Sequence, residues 1–182
     1  MRAIEILTKE HRLIAKMITL IQKQVELIEK TSSVDTTNLD TIIDFFRRYT
    51  HRHHHWKEED ILFKKLEEKQ IQPDIDALVK SLINEHQMLK RCIGNLVKFS
   101  KAFSTGQKGA IEEILKELNI LIKFYPLHIQ KEDGTLFPQV PQYLTPEEQQ
   151  VMDVEFEKIE QNMIHDQYNI IVENFESSLT KI

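Results

Sequence analysis

Apolar residues recur in alternating steps of three and four along most of this chain. From about Ala3 to Lys30 they fall at Ile4, Leu7, Ile14, Ile18, Ile21, Val25 and Ile28. This spacing puts them on one face of an α-helix, so the segment is predicted to form a long amphipathic helix. The seam is interrupted once, by His11.

Four more helical patterns follow, separated by short polar segments. They run over about residues 38–69, from 73 to the loop at 104–109, from that loop to a weak point near 134–141, and from 146 to near the C-terminus. The last begins with a capping box at Thr145 and Glu148. Short breaks between long amphipathic helices favour antiparallel neighbours. The sequence therefore predicts an all-α fold, an up-down-up-down four-helix bundle over about residues 3–140 with an additional C-terminal helix over about 146–180.

The composition agrees with a protein that has few loops, and it excludes several classes of protein. Only 4 glycines and 5 prolines occur, which agrees with long helices, and residues 1–182 are expected to form a single domain. The formal net charge of −5 argues against a nucleic-acid binder, which would carry a basic face. Cys92 stands alone, so an internal disulfide is excluded. The apolar runs are too short to cross a bilayer, and the N-terminus lacks a signal core. A cytoplasmic location without membrane contact is expected.

Two ten-residue stretches echo each other, because residues 54–63 and 128–137 both read H-x-x-K-E-x-x-x-L-F. Each places a histidine four residues before a glutamate: His54 with Glu58, and His128 with Glu132. On a helix such a pair lies on one face, one turn apart, where both side chains can bind one metal ion. The lysines of the echo are expected to be solvated and its leucines and phenylalanines to be core residues: Lys57, Lys131, Leu62, Phe63, Leu136 and Phe137.

Histidine interrupts the apolar seam once on each of the first four predicted helices, at His11, His54, His86 and His128. Glu58 and Glu132 lie one turn beyond two of them. A buried carboxylate is unfavourable unless it is paired or bound to metal. Four imidazoles and two carboxylates that converge in one bundle interior therefore predict a dinuclear metal centre. Nitrogen and oxygen donors without cysteine favour two iron ions, with zinc or manganese as alternatives.

A second pair of the same spacing, His55 with Glu59, competes with His54 and Glu58 for the inward position. Its face continues back through two polar residues and is expected to be exposed: His51 and Arg47. The face of His54 continues through mainly apolar residues: Thr50, Phe46 and Ile43. The periodicity therefore favours His54 and Glu58 as the inward pair.

This order of residues resembles the hemerythrin-like (HHE cation-binding) domain family. The resemblance covers roughly residues 4–138 and rests on four blocks: Glu10-His11, residues 54–63, Glu85-His86, and residues 128–138. It implies a non-haem di-iron centre inside a four-helix bundle. Glu58 and Glu132 would bridge the irons, and the four seam histidines would ligate them.

One position departs from the pattern of the oxygen-carrying members of that family. They have a second histidine four residues after the one that matches His86, and here that position is Lys90. Because an oxygen carrier depends on a controlled open position at one iron, this departure argues against reversible oxygen carriage. Either one iron keeps a water-accessible position, or another residue completes the site: Tyr125, His51 or His165.

The expected function is that of a non-haem di-iron-binding protein that binds dioxygen or nitric oxide, or that senses or handles iron. The histidine-rich site is accompanied by no evident substrate-binding motif. Two alternatives remain open: a di-iron enzyme that consumes peroxide or nitric oxide, and an iron donor for the repair of iron–sulfur centres. The expected partner is a small diatomic ligand or peroxide, and the sequence specifies no protein partner.

Overall fold

Six helices make up the fold, and the computed structural model describes them over residues 1–180. They are α1 (Arg2–Thr31), α2 (36–67), α3 (Pro73–Ser104), α4 (110–143), α5 (Pro146–Glu160) and α6 (Ile164–Leu179). No strand occurs among the described residues, which confirms the predicted all-α fold. Residues 181–182, the end of the predicted domain, lie outside this range. Within it, no helix is both long and apolar enough to cross a bilayer.

The helix ends follow local sequence signals. Asp35 caps α2, because its carboxylate accepts hydrogen bonds from the backbone N–H groups of Thr37 and Asn38. Pro73 occupies the first turn of α3, where its missing N–H costs no hydrogen bond. The predicted capping box at Thr145 and Glu148 is confirmed, with both reciprocal hydrogen bonds present.

Helices α1 to α4 form the bundle, in which α1 contacts α2 and α4, and α3 contacts α2 and α4. The C-terminal part differs from the prediction, since two helices replace the single one expected. The break falls at residues 161–163, where Met163 has a left-handed φ of 54° and an exposed side chain. Helix α5 packs on α1, and α6 packs on α1 and α2, so both cover the outside of the bundle.

Two apolar clusters fill the interior, and a polar layer separates them along the bundle axis. On α1, the smaller cluster contains Leu7 and the larger one begins at Leu13. On α3, Leu82 belongs to the smaller cluster and Leu89 to the larger one. The residues between these pairs include His11 and His86, so the predicted site lies between two water-excluding layers.

Helix α2 departs from α-helical geometry beside the polar layer. It is π-helical over Phe45–His54 and Glu58–Phe63, and α4 is π-helical over Glu132–Leu136. The N–H of His55, for example, bonds to the carbonyl of Thr50, five residues earlier. A π-turn holds more residues than an α-turn, so consecutive side chains diverge less in direction. Such turns are frequent at functional sites.

Candidate metal centre

The six sequence-predicted site residues lie together in the polar layer, and all are buried. We call this set the metal layer: His11, His54, Glu58, His86, His128 and Glu132. None of the six is more than 2% exposed. Their donor atoms fall into two neighbouring groups. In one group His11 and His54 join both glutamates, and in the other His86 and His128 lie together with His55.

Each glutamate spans the two groups with its two oxygens. Glu58 Oε1 lies 3.5 Å from His54 Nε2, and Glu58 Oε2 lies 3.5 Å from His86 Nε2. Glu132 repeats the arrangement, with Oε2 3.2 Å from His11 Nε2 and Oε1 3.4 Å from His128 Nε2. The geometry thus places one oxygen of each carboxylate beside each histidine pair, as a bridge between two ions requires.

Every histidine of the metal layer is held by a second carboxylate at its Nδ1 atom. The pairs are His54 with Glu10 (2.8 Å), His86 with Glu59 (2.8 Å), His128 with Glu85 (3.0 Å) and His11 with Asp133 (2.9 Å). The pairs connect α1 to α2, α2 to α3, α3 to α4, and α4 back to α1. Glu10, Glu59, Glu85 and Asp133 therefore form a closed circuit, which we call the carboxylate ring.

The carboxylate ring decides which nitrogen each histidine offers to the interior. An ionised carboxylate only accepts hydrogen bonds, so the imidazole donates its Nδ1–H and leaves Nε2 directed at the metal layer. The Nε2 atoms of His86 and His128 lie 3.1 Å apart. Two lone pairs at that distance repel each other unless a proton or a metal cation lies between them.

Burial and neighbouring charges shift the pKa values of several residues in the metal layer. Burial, together with the charge of Glu132, raises the pKa of Glu58 well above its usual value. Burial alone would lower the pKa of His11, but the neighbouring carboxylates of Asp133 and Glu132 raise that pKa to about 10. His54 shows the opposite result, because burial dominates and lowers its pKa to about 4. Burial thus disfavours the charged forms of Glu58 and His54, whereas the neighbouring carboxylates favour the charged form of His11.

The donor set fits a cation-binding site. All four carboxylate oxygens of Glu58 and Glu132 are buried without a hydrogen-bond partner in residues 1–180, and so is Nε2 of His11. Buried polar atoms are normally satisfied, so such a concentration in one layer calls for a bound ligand. Imidazole and carboxylate donors suit iron, manganese and zinc.

Comparison with known proteins agrees with this geometry. The sequence profile of the hemerythrin HHE cation binding domain matches residues 2–140. The chain belongs to this family. No curated protein and no solved structure matches significantly. The matched residues include the whole metal layer and the carboxylate ring, whereas α5 and α6 lie outside the part that matches the hemerythrin profile.

His55 is buried in this hemerythrin-family site, against the prediction that its face is exposed. It is 2% exposed, and its ring stacks on that of His86 with centroids 3.7 Å apart and planes 10° apart. The π-helical turns that flank residues 55–57 explain the error, since α-helical spacing separates the directions of His54 and His55 more widely. His51 lies farther out, with its Nδ1 3.2 Å from Nδ1 of His55.

A second buried polar cluster lies beside the metal layer. We call it the Lys57 cluster: Glu10, His53, Lys57 and Glu160. Lys57 is fully buried, so the prediction that it is solvated is wrong. Its ammonium group donates to Glu10 and Glu160 and lies 3.1 Å from His53 Nε2. Glu10, His53 and Glu160 also have the spacing of metal ligands, but the Lys57 ammonium already supplies their cation.

The other candidates for completing the site lie around the metal layer. Tyr125 is buried, its ring is 6.1 Å from that of His128, and its hydroxyl has no hydrogen-bond partner in the described chain. His165 is buried on α6, where its Nδ1 lies 2.6 Å from the hydroxyl of Tyr49. Lys90 lines a surface cavity that also reaches His55 and His86. Neither His51 nor His165 belongs to the two donor groups of the metal layer.

Proposed function

We propose that this chain binds two iron ions in the metal layer. His11 and His54 would hold one ion, His86 and His128 the other, and Glu58 and Glu132 would bridge them. One observation carries the proposal: the two oxygens of each glutamate are divided between the two histidine pairs. The carboxylate ring adds support, because ligating histidines in proteins usually donate their other ring N–H to a carboxylate or a carbonyl.

We further propose that the centre takes up a small ligand, dioxygen or nitric oxide. Two ferrous ions would supply the electrons for that uptake. The protein would supply a dry pocket between two apolar layers and a route to it from solvent. That route is a cavity of about 240 Å³ whose lining includes His51 and Lys90 near the surface and His55 and His86 at its inner end. A volume of this size admits diatomic molecules and peroxide.

Metal content tests the first part of the proposal. Protein reconstituted anaerobically with ferrous iron should contain about two irons per chain, and exposure to air should produce near-ultraviolet absorption. Glu132→Ala should hold much less than two irons, because it removes one bridge. Glu117→Ala is the matched control, since Glu117 is also a buried glutamate of α4 but lies outside the metal layer. Wild-type protein with far less than two irons, or colourless protein with bound zinc, would contradict the proposal.

Reaction with ligand tests the second part. The diferrous protein is mixed rapidly with nitric oxide in one experiment and with hydrogen peroxide in another. Saturable, stoichiometric binding of nitric oxide supports a ligand-binding protein. Continued consumption of either molecule over many turnovers would instead assign the chain to the enzymes, and absence of any spectral change would contradict small-ligand binding.

A further inference from the structure

His55 is the fifth histidine close to the two ions that the proposed function places in the metal layer. It is buried, and its Nε2 has no hydrogen-bond partner anywhere in residues 1–180. A buried, unsatisfied imidazole nitrogen is rare enough to call for a partner. Two partners are conceivable: one of the ions, or a molecule that reaches the ions from solvent.

The stacking of His55 on His86 argues against direct ligation. An imidazole binds an ion through a lone pair that lies in the plane of its ring. The two rings are nearly parallel, with planes 10° apart and centroids 3.7 Å apart. An ion in the plane of His86 therefore lies well outside the plane of His55. The two rings do not suit one shared ion, so His55 lies beside the ligand set.

The cavity supplies the second partner. His55 and His86 are the only residues of the metal-binding groups that line the cavity in the described part of the chain. At the outer side, His51 Nδ1 contacts His55 Nδ1 at 3.2 Å. When His51 donates its Nδ1–H in this contact, the neutral His55 carries its proton on Nε2. His55 then carries an N–H donor on Nε2, a nitrogen that is shielded from solvent and so lies inward of the open cavity.

Resting on the proposed function, we infer that His55 donates a hydrogen bond from Nε2 to the small ligand that enters this cavity and binds beside His86. The ligand class is a small molecule with an electron-rich terminal atom, such as dioxygen, nitric oxide or azide. The role differs from that of the metal layer, because His55 would stabilise the bound ligand without holding the ions.

Azide titration of the air-oxidised, iron-loaded protein tests this inference, with metal content measured on the same samples. His55→Leu removes the donor, and His55→Gln retains an N–H. We expect both variants to hold about two irons. His55→Leu should weaken azide binding about three- to tenfold, which corresponds to one neutral hydrogen bond, and His55→Gln should recover most of the loss. Tyr125→Phe is the matched control, because it also removes one buried, unpartnered polar atom, although Tyr125 does not line the cavity.

Several results would overturn the inference. Loss of one iron in His55→Leu would make His55 a ligand. Unchanged azide affinity in His55→Leu would show that His55 does not make the hydrogen bond. An equal loss in Tyr125→Phe would also overturn the inference, because the effect would then follow from removing any buried polar atom near the site. Failure of the wild-type protein to bind iron would overturn the proposed function as well, so the metal measurement separates the two failures.

Discussion

The metal layer and the Lys57 cluster are built from the same residue types, and they differ in one cation. The metal layer buries four histidines and the Lys57 cluster buries one, in each case among carboxylates. In the Lys57 cluster an ammonium group contacts both carboxylates and the histidine. In the metal layer, the oxygens of Glu58 and Glu132 find no donor within residues 1–180. An internal lysine therefore supplies the cation of one cluster, whereas the other has buried carboxylate oxygens that can accept a cation from outside.

The two clusters meet at Glu10. One of its oxygens accepts from His54, and the other accepts from Lys57. Burial alone would raise the pKa of Glu10, but hydrogen bonds from His53 and His54 and the charge of Lys57 hold it well below its usual value. Hydrogen bonds from His53 and His54, with a smaller contribution from the charge of Lys57, thus keep Glu10 ionised, and an ionised Glu10 fixes the orientation of His54. The Lys57 cluster therefore contacts the metal layer through the hydrogen bond between Glu10 and His54.

The largest effect should separate two neighbouring residues, His54 and His53. His54→Ala removes a proposed ligand, and we expect one ion to bind about a hundred- to a thousandfold more weakly, because the ~10–16 kcal/mol of a structural four-ligand zinc site amounts to about 2.5–4 kcal/mol for each ligand. His53→Ala removes a residue of the Lys57 cluster, and Lys57 still holds Glu10. We expect its affinity to stay within about tenfold of wild type. Competition with a chelator, monitored by absorption, measures both.

Equal losses of metal affinity in His54→Ala and His53→Ala would contradict the division between the metal layer and the Lys57 cluster. It would mean that the Lys57 cluster and the metal layer bind metal as one unit, despite the ammonium group between Glu10 and Glu160. Circular dichroism of the metal-free variants is the control, because it separates a lost ligand from a lost fold.

The next effect concerns the stability of the metal-free protein. Lys57→Met keeps the length of the side chain but leaves Glu10 buried without its cation. Breaking a buried ion pair from one side costs about 3–5 kcal/mol. Glu160 is only partly buried and water can stabilise it, so we expect a loss of about 3 kcal/mol in the free energy of unfolding by urea.

Lys131→Met is the matched control, because Lys131 occupies the same position in the second echo. It pairs with Glu85, but its side chain is 42% exposed, so we expect a change of less than about 1 kcal/mol. If the two lysine variants lost equal stability, the burial of the Lys57 ammonium group would not be the cause of the loss.

Much of the fold and of the metal layer could be predicted from periodicity. The apolar seam fixes which face of a helix is buried, and the structure places the seam residues His11 and His128 in the interior. The starts of α3 and α5 could be predicted because prolines and capping residues act on the helix end beside them. The break at residues 161–163 could not be predicted, because the apolar stripe beyond Met163 drifts and Met163 adopts a conformation that few non-glycine residues favour.

The misjudged residues lie where α-helical periodicity fails. Counting 3.6 residues per turn assigns His55 to solvent, but π-turns flank residues 55–57 on both sides. Lys57 was expected in solvent as a charged side chain, and its burial depends on Glu10 and Glu160, which come from other helices. The carboxylate ring was not predicted, since its pairs join different helices. A local signal exists nonetheless. Each ring residue is adjacent in sequence to a residue of the metal layer: Glu10-His11, Glu58-Glu59, Glu85-His86 and Glu132-Asp133.

The carboxylate ring lies between the metal layer and the rest of the bundle. Its residues orient the histidines, and we expect that they do not contact the ions. The most exposed side chain of the ring is that of Asp133, at 32%. Asp133→Asn keeps an oxygen that can accept from Nδ1 of His11, and it removes only the charge. Loss of such an orienting partner typically weakens metal binding by about ten- to hundredfold.

The smallest effect is therefore expected for Asp133→Asn, a loss of about tenfold in metal affinity at unchanged stoichiometry. The same chelator competition measures it, with Asp153→Asn as the control, because Asp153 accepts a backbone N–H of α1 outside the ring. A drop in stoichiometry would make Asp133 a ligand. Unchanged affinity would mean that packing between helices, and not the charge of the ring, orients His11. A tenfold loss of affinity at unchanged stoichiometry would give the three groups distinct roles. The metal layer would bind the ions, the carboxylate ring would orient the histidines, and Lys57 would hold the ring in place at Glu10.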